Sequence, residues 1–180
     1  MFTQTQPPLT FLGNPVTRVG PILRIGDPAP DFLAVGPDFE PVTLADTGSG
    51  IRLLLTVPSL DAPNCDQVIR AFSTGLKDAG EVTLLVASMD LPFTAARWWN
   101  AAGIAGIRFL SDYRHCSLGR AFGVLIEELH LLAQAVFVIN ERNRIAYSQY
   151  VRDVLGEPDY ADSFSALRMV MNSPLRRPGG

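Results

Sequence analysis

The 180-residue chain is poor in the residues that build metal and disulfide sites: it has two cysteines, two histidines and, among fifteen basic residues, a single lysine, Lys77. Two cysteines are too few for a secreted disulfide scaffold, and Cys65 and Cys116 form no C-x-x-C pair, so a thioredoxin-type dithiol is absent. His115 and His130 have no partner at metal-ligand spacing, and no metal or other cofactor is expected. No apolar run approaches the roughly 18 residues of a membrane span. Met1 to Thr10 lack the charged and apolar regions of an export signal, so a cytoplasmic setting is expected. A formal net charge of −3 gives no basic footprint for nucleic acid. Gly103 and Gly106 follow an expected helix rather than open one, which excludes a phosphate cradle there. The arginine-over-lysine skew is attributed to genome composition rather than function.

What is present is an ordinary globular composition, 47% hydrophobic and 18% charged, with no repeat or linker. A single domain over 11–172 is expected, with flexible tails at 1–10 and 173–180. Gly26 to Pro30 is a turn-rich entry to a strand over 31–35, and 42–44 is its short partner. Runs at 51–57 and 82–87 are nearly all apolar, as in strands covered on both faces. Between them Cys65, Val68, Ile69, Phe72 and Leu76 share one helical face, with Gly80 closing the helix. A helix over 92–102, a strand over 107–110 and a short helix over 117–122 follow. A hairpin of 132–139 with 144–151 and an amphipathic helix over 158–171 complete the order, with Phe164, Leu167 and Met171 facing inward. Alternating strands and helices, then a hairpin and a helix, define an α/β class: a thioredoxin-like fold with a mixed central sheet flanked by helices.

The stretch from Thr56 to Cys65 carries the most chemistry. A buried strand leads through a tight polar loop to a cysteine in the first turn of a helix, with Asp61 as N-cap and Pro63 in the first turn. Free N–H groups and the positive end of the helix dipole favour a thiolate there, and Arg70 adds positive charge if the helix turns it inward. Asp61 and Asp66 read as a cap and a solvated charge; their negative charge opposes a depressed thiol pKa. The spacing leaves two readings open, a reactive thiol and a small buried core residue. Trp98 and Trp99 read first as core or dimer contacts and second as pocket lining.

Several motifs stand in order along the chain: Gly13-Asn14-Pro15-Val16-Thr17, Gly26 to Phe32, Pro58-Ser59-Leu60-Asp61, Cys65, and Arg70 with Phe72. Met89 to Phe93 with Arg97, Leu110 to Arg114, and Glu157 to Tyr160 continue the series. On these residues the chain resembles the thiol peroxidase (atypical two-cysteine) branch of the peroxiredoxins over about 11–167. The resemblance implies a thioredoxin-like fold with an N-terminal β extension and an antioxidant homodimer. It also implies hydroperoxide reduction by Cys65, with Pro58 and Arg70 in the site. In that family a second cysteine resolves the sulfenic acid as a disulfide, which thioredoxin reduces before further oxidation.

Three departures fall on the chemistry. Ala62 stands where the family has a threonine whose hydroxyl bonds the thiolate and the peroxide. Gln134, in Leu131-Leu132-Ala133-Gln134-Ala135-Val136, replaces an arginine with a neutral amide. Trp99 occupies the resolving-cysteine position, which leaves Cys116 as the remaining candidate resolver. The expectation is therefore a weakened or one-cysteine peroxidase with a small-molecule substrate, regenerated by thioredoxin or a small thiol. Two alternatives stay open: a repurposed enzyme acting on an organic substrate in a biosynthetic pathway, and a non-catalytic dimeric binding module.

Overall fold

The computed structural model describes residues 8–77 and 79–173. Of the tails expected at 1–10 and 173–180, residues 1–7 and 174–180 lie outside the described residues. Residues 9 and 10 belong to the folded unit rather than to a tail. Leu9 is buried, and Thr10 exchanges backbone hydrogen bonds with Arg152 and Val154.

Three apolar runs form the parallel centre of a seven-stranded sheet: β6 (Ile51–Thr56), β7 (Val82–Ser88) and β8 (Ile107–Ser111). Their register sets Thr56 beside Ala87 and Ser88 beside Ser111, so all three end at one sheet edge. On one side β11 (Ala135–Ile139) runs antiparallel to β6, and β12 (Ile145–Tyr150) antiparallel to β11. On the other, β4 (Ala34–Val35) and β5 (Pro41–Val42) close the sheet. These last two strands are shorter than the sequence predicts. Around them Asp31 accepts the Leu44 N–H at 3.0 Å and Asp46 the Thr43 N–H at 2.8 Å, so side chains replace the ladder there.

The N-terminal extension is a hairpin, β1 (Leu9–Phe11) with β2 (Asn14–Val16). It continues into β3 (Arg18–Val19), which joins β9 (Leu125–Ile126) and β10 (Leu131–Leu132) in a small three-stranded sheet. The expected single strand over 132–139 is thus split between two sheets. The Ala133 N–H donates to the Val124 carbonyl, and Thr56 Oγ1 donates to the Ala133 carbonyl at 2.7 Å, which breaks the ladder just before β11.

Four helices are described: α1 (Cys65–Gly75), α2 (Pro92–Ala102), α3 (Ser117–Ala121) and α4 (Tyr160–Met171). Pleat alternation sorts the core into two layers. Leu53, Leu55, Val86, Val136 and Val138 face α1, α2 and α4, whereas Leu54, Leu85, Phe137 and Ile139 face the small sheet and α3. Val68, Ile69 and Phe72 of α1 are wholly buried, each worth about 1.5–3 kcal/mol. The helix ends at Gly75, not Gly80; a Cβ at Gly75 would lie 2.2 Å from the Phe164 ring, so glycine permits the close crossing with α4.

Gly123 has φ +64°, and a Cβ there would sit 1.8 Å from the Pro21 carbonyl oxygen. Gly123→Ala is expected to cost at least about 2 kcal/mol, read as a fall in the urea midpoint with an unchanged m-value.

Candidate active site

Cys65 opens α1 at the edge where the parallel strands end, and it is fully buried among Val57, Leu60, Val68 and Phe72. The loop that delivers it is pinned from β7. Asp90 accepts from Ser59 Oγ at 2.8 Å, the Leu60 N–H at 2.7 Å and Ser88 Oγ at 2.7 Å. Sequence reasoning missed Asp90 as part of this site, although it sits in the Met89 to Phe93 motif. Pro58 is buried at the start of the loop, next to Ser59, whose backbone N–H favours the Cys65 thiolate.

Burial decides the protonation state. It pushes the Cys65 thiol up to about 11; the Ser59 N–H opposes this and the Asp90 charge adds to it. The position at a helix N-terminus favours a thiolate by a smaller amount. Cys65 is therefore held as a thiol at neutral pH.

Neither nearby arginine offsets this. Arg70 lies about 140° around α1 from Cys65 at roughly 100° per residue, on the outer face. Its Nε bonds Asp66 at 2.7 Å and its Nη1 the Ala102 carbonyl at 3.2 Å. The inward placement considered from sequence thus gives way to an i,i+4 ion pair at the surface. Asp66 is not simply solvated, since it also accepts from Trp98 Nε1 at 3.1 Å. Asp61 does not cap the helix: it pairs with Arg97 of α2 at 2.8 Å, and Asn64 is the N-cap residue, without a side-chain cap bond. Asn64 Nδ2 bonds the Leu155 carbonyl, while its Oδ1 is buried without a partner among the described residues.

The three altered positions divide. Ala62 is half-buried against the same layer as Cys65, and its carbonyl accepts the Cys65 N–H at 3.1 Å. Gln134 is wholly buried, and neither Nε2 nor Oε1 has a partner among the described residues, at a cost of about 1–3 kcal/mol per atom. Gln134 immediately precedes β11, and its carbonyl accepts the Val151 N–H at 3.0 Å. Trp99 also packs against the Cys65 layer and lines a mostly apolar groove of about 340 Å³ with Pro37, Val42, Ala95 and Phe109, while Trp98 reaches the start of α1. One residue on a helix is a 100° rotation, which the sequence motif could not resolve.

Cys116 precedes α3 in the left-handed region, φ 49°, and packs on the opposite layer from Cys65. Both are free thiols with the sheet between their layers. A disulfide needs Cα atoms about 4.4–6.8 Å apart, and packing in different layers counts against Cys116 as the resolver. Burial also raises the Cys116 thiol, and Asp112 adds to the shift. Among the described residues no helix is long and apolar enough to cross a membrane, and none form a cluster of three or more metal-ligating side chains.

A mixed sheet with a buried cysteine at the first turn of the helix after a central strand defines a redoxin-type domain, and the Redoxin family model matches 24–163. The thiol peroxidase of Halalkalibacterium halodurans is 42% identical over 91% of this chain and 98% of its own length. That of Bacillus subtilis is 39% identical over 91% and 98%. A peroxiredoxin-like protein from Aquifex aeolicus superposes with TM-score 0.83 at 33% identity, covering 91% of this chain and 96% of the other. The thiol peroxidase from Chromobacterium violaceum, at 22% identity and TM-score 0.83 over 89% and 95%, shares the fold. The chain belongs to the redoxin family and, within it, to the thiol peroxidases.

Proposed function

We propose that the protein reduces hydroperoxides through Cys65 as a slow, one-cysteine thiol peroxidase. The observation that carries this reading is the position of Cys65, at the start of α1 beneath a loop fixed by Asp90, in a chain of this family. Pro58 fixes the start of the loop whose Ser59 N–H favours the thiolate, and Arg70 acts indirectly by neutralising Asp66. The sulfur attacks the terminal peroxide oxygen, the O–O bond breaks, and an alcohol or water leaves with the thiol proton. The resulting sulfenic acid is returned by an external thiol, thioredoxin or a small one, since Cys116 lies in the other layer. The low thiolate fraction accounts for the slowness.

The raised Cys65 pKa also favours a second reading, an altered pocket acting on another organic substrate. Exposure of reduced protein to one equivalent of hydroperoxide, followed by intact mass and peptide mapping, separates the two. Selective oxidation of Cys65 supports the peroxidase; oxidation no faster than that of free cysteine rejects it.

The protein acts as a homodimer in this reading. Phe93 is 69% exposed and Leu91 47% exposed, directly after Asp90, and the Phe39 and Phe93 rings lie 4.9 Å apart. Exposed apolar clusters of this kind favour association. Phe93→Asp is expected to shift light-scattering mass from dimer to monomer, and an unchanged mass would reject this face as the contact.

A further inference from the structure

Asp90 stands on a polar stalk built at the tips of two parallel strands. Ser88 and Ser111 are neighbours in the β7–β8 register, and both are wholly buried. Ser88 Oγ accepts the Asp90 N–H at 3.0 Å and donates back to its carboxylate at 2.7 Å, while Ser111 Oγ donates to the Asp90 carbonyl. From this anchor the carboxylate reaches across to the Cys65 loop. Its Oδ1 accepts from Ser59 Oγ at 2.8 Å and its Oδ2 from the Leu60 N–H at 2.7 Å. Ser59 Oγ in turn accepts the Asp61 N–H at 3.2 Å, so residues 59, 60 and 61 are all tied to it. The Leu60 side chain shares the buried cluster of Cys65, so the loop fastened in this way is part of what covers the sulfur. Bonds to an ionised acceptor are the strong kind, and a polar network paired in this way holds one arrangement.

The charge of this carboxylate is unmatched. Asp61 of the loop pairs with Arg97 of α2, and Asp66 of α1 pairs with Arg70. Strand β12 and helix α4 bring Tyr147 and Tyr160 to the layer, both neutral because their hydroxyls are pushed up to about 12. Asp90 has no cation partner among the described residues; its carboxylate is met by a backbone N–H and two hydroxyls. Its negative charge therefore bears on Cys65 and favours the thiol. Resting on the Cys65 reading above, we propose that Asp90 is a positioning residue of the peroxidase reaction: it fastens the loop that covers Cys65, and its unmatched charge slows the attack of the sulfur on the peroxide. The S–O bond forms, the O–O bond breaks and the alcohol leaves with the thiol proton; Asp90 exchanges no atom or electron in that step.

Asp90→Asn separates the two roles. The asparagine carbonyl accepts from the Leu60 N–H and Ser88 Oγ, and its NH2 donates to Ser59 Oγ, a hydroxyl that also accepts. The geometry is kept and the charge removed, whereas Asp90→Ala removes both. Reduced protein receives one equivalent of tert-butyl hydroperoxide at a series of pH values, and Cys65 oxidation is read by quenched intact mass and peptide mapping. Loop closure is read separately, as Cys65 labelling by a bulky maleimide relative to a small methanethiosulfonate, a ratio in which the thiolate fraction cancels. Asp90→Asn is expected to react about three- to tenfold faster at neutral pH, with its profile displaced to lower pH and the labelling ratio of wild type. In Asp90→Ala, where the Leu60 N–H loses its acceptor, the bulky reagent gains about tenfold on the small one. A merely structural aspartate would lower Tm on replacement by alanine and leave the Asp90→Asn profile where wild type has it. Cys65 oxidation with an unmoved profile in Asp90→Asn, or a wild-type labelling ratio in Asp90→Ala, overturns this assignment alone. If Asp90→Ala does not fold, the Asp90→Asn profile decides. Cys65 untouched by the hydroperoxide in wild type and both variants overturns the peroxidase reading and this one together.

Discussion

Cys65→Ser abolishes hydroperoxide consumption and leaves the fold unchanged. The sulfur is the nucleophile, and a serine hydroxyl neither ionises near neutral pH nor accepts a peroxide oxygen reversibly. The residue is wholly buried, and serine keeps its size, so the core around Val57 and Phe72 retains its shape. Loss of activity is therefore a chemical effect, checked by coupled peroxide assay beside an unchanged thermal midpoint. Turnover that survives the substitution excludes every cysteine mechanism. Cys116→Ser, in the opposite layer, is expected to leave the first oxidation untouched.

Restoring Ala62→Thr and Gln134→Arg together has the second large effect, a rise of at least about a hundredfold in the rate of Cys65 oxidation. A hydroxyl at 62 enters the half-buried layer beside Cys65, one turn before the helix begins. A guanidinium at 134 supplies the positive charge that Arg70 and Arg97, each paired with an aspartate, do not offer. Both changes favour the thiolate, so the Cys65 pKa moves down from about 11. Stopped-flow oxidation of the single and double variants separates the contributions. Rates equal to wild type in the double variant would mean that these positions do not surround the sulfur.

The long apolar runs were legible because burial on both faces leaves an unmistakable pattern, and β6, β7 and β8 stand where the sequence predicts them. The α1 face was equally clear: Cys65, Val68, Ile69 and Phe72 are all wholly buried. Side-chain pairing across the chain was not. Asp61 reads as a helix cap until Arg97, far along the sequence, takes its carboxylate. Arg70 reads as a charge for the sulfur until Asp66, one turn before it, holds it outside. Asp90 stands in the Met89 to Phe93 motif, but its role comes from the parallel register that brings β7 beside β6. The altered positions were visible from the motifs. That Gln134 has no side-chain partner among the described residues, and that Trp99 lines a groove beside α2, depends on three-dimensional packing.

The most direct measurement is the pH profile of Cys65 oxidation by one equivalent of hydroperoxide, with the site of oxidation mapped at each pH. A thiol raised from 9.0 to about 11 holds about a hundredfold less thiolate at pH 7 than an ordinary one. The expected result is oxidation confined to Cys65, with a rate that climbs about tenfold per pH unit from neutral pH and levels only near 11. A rate already level at neutral pH, or oxidation at Cys116 with Cys65 untouched, would contradict a buried, uncharged peroxidase site built around this sulfur.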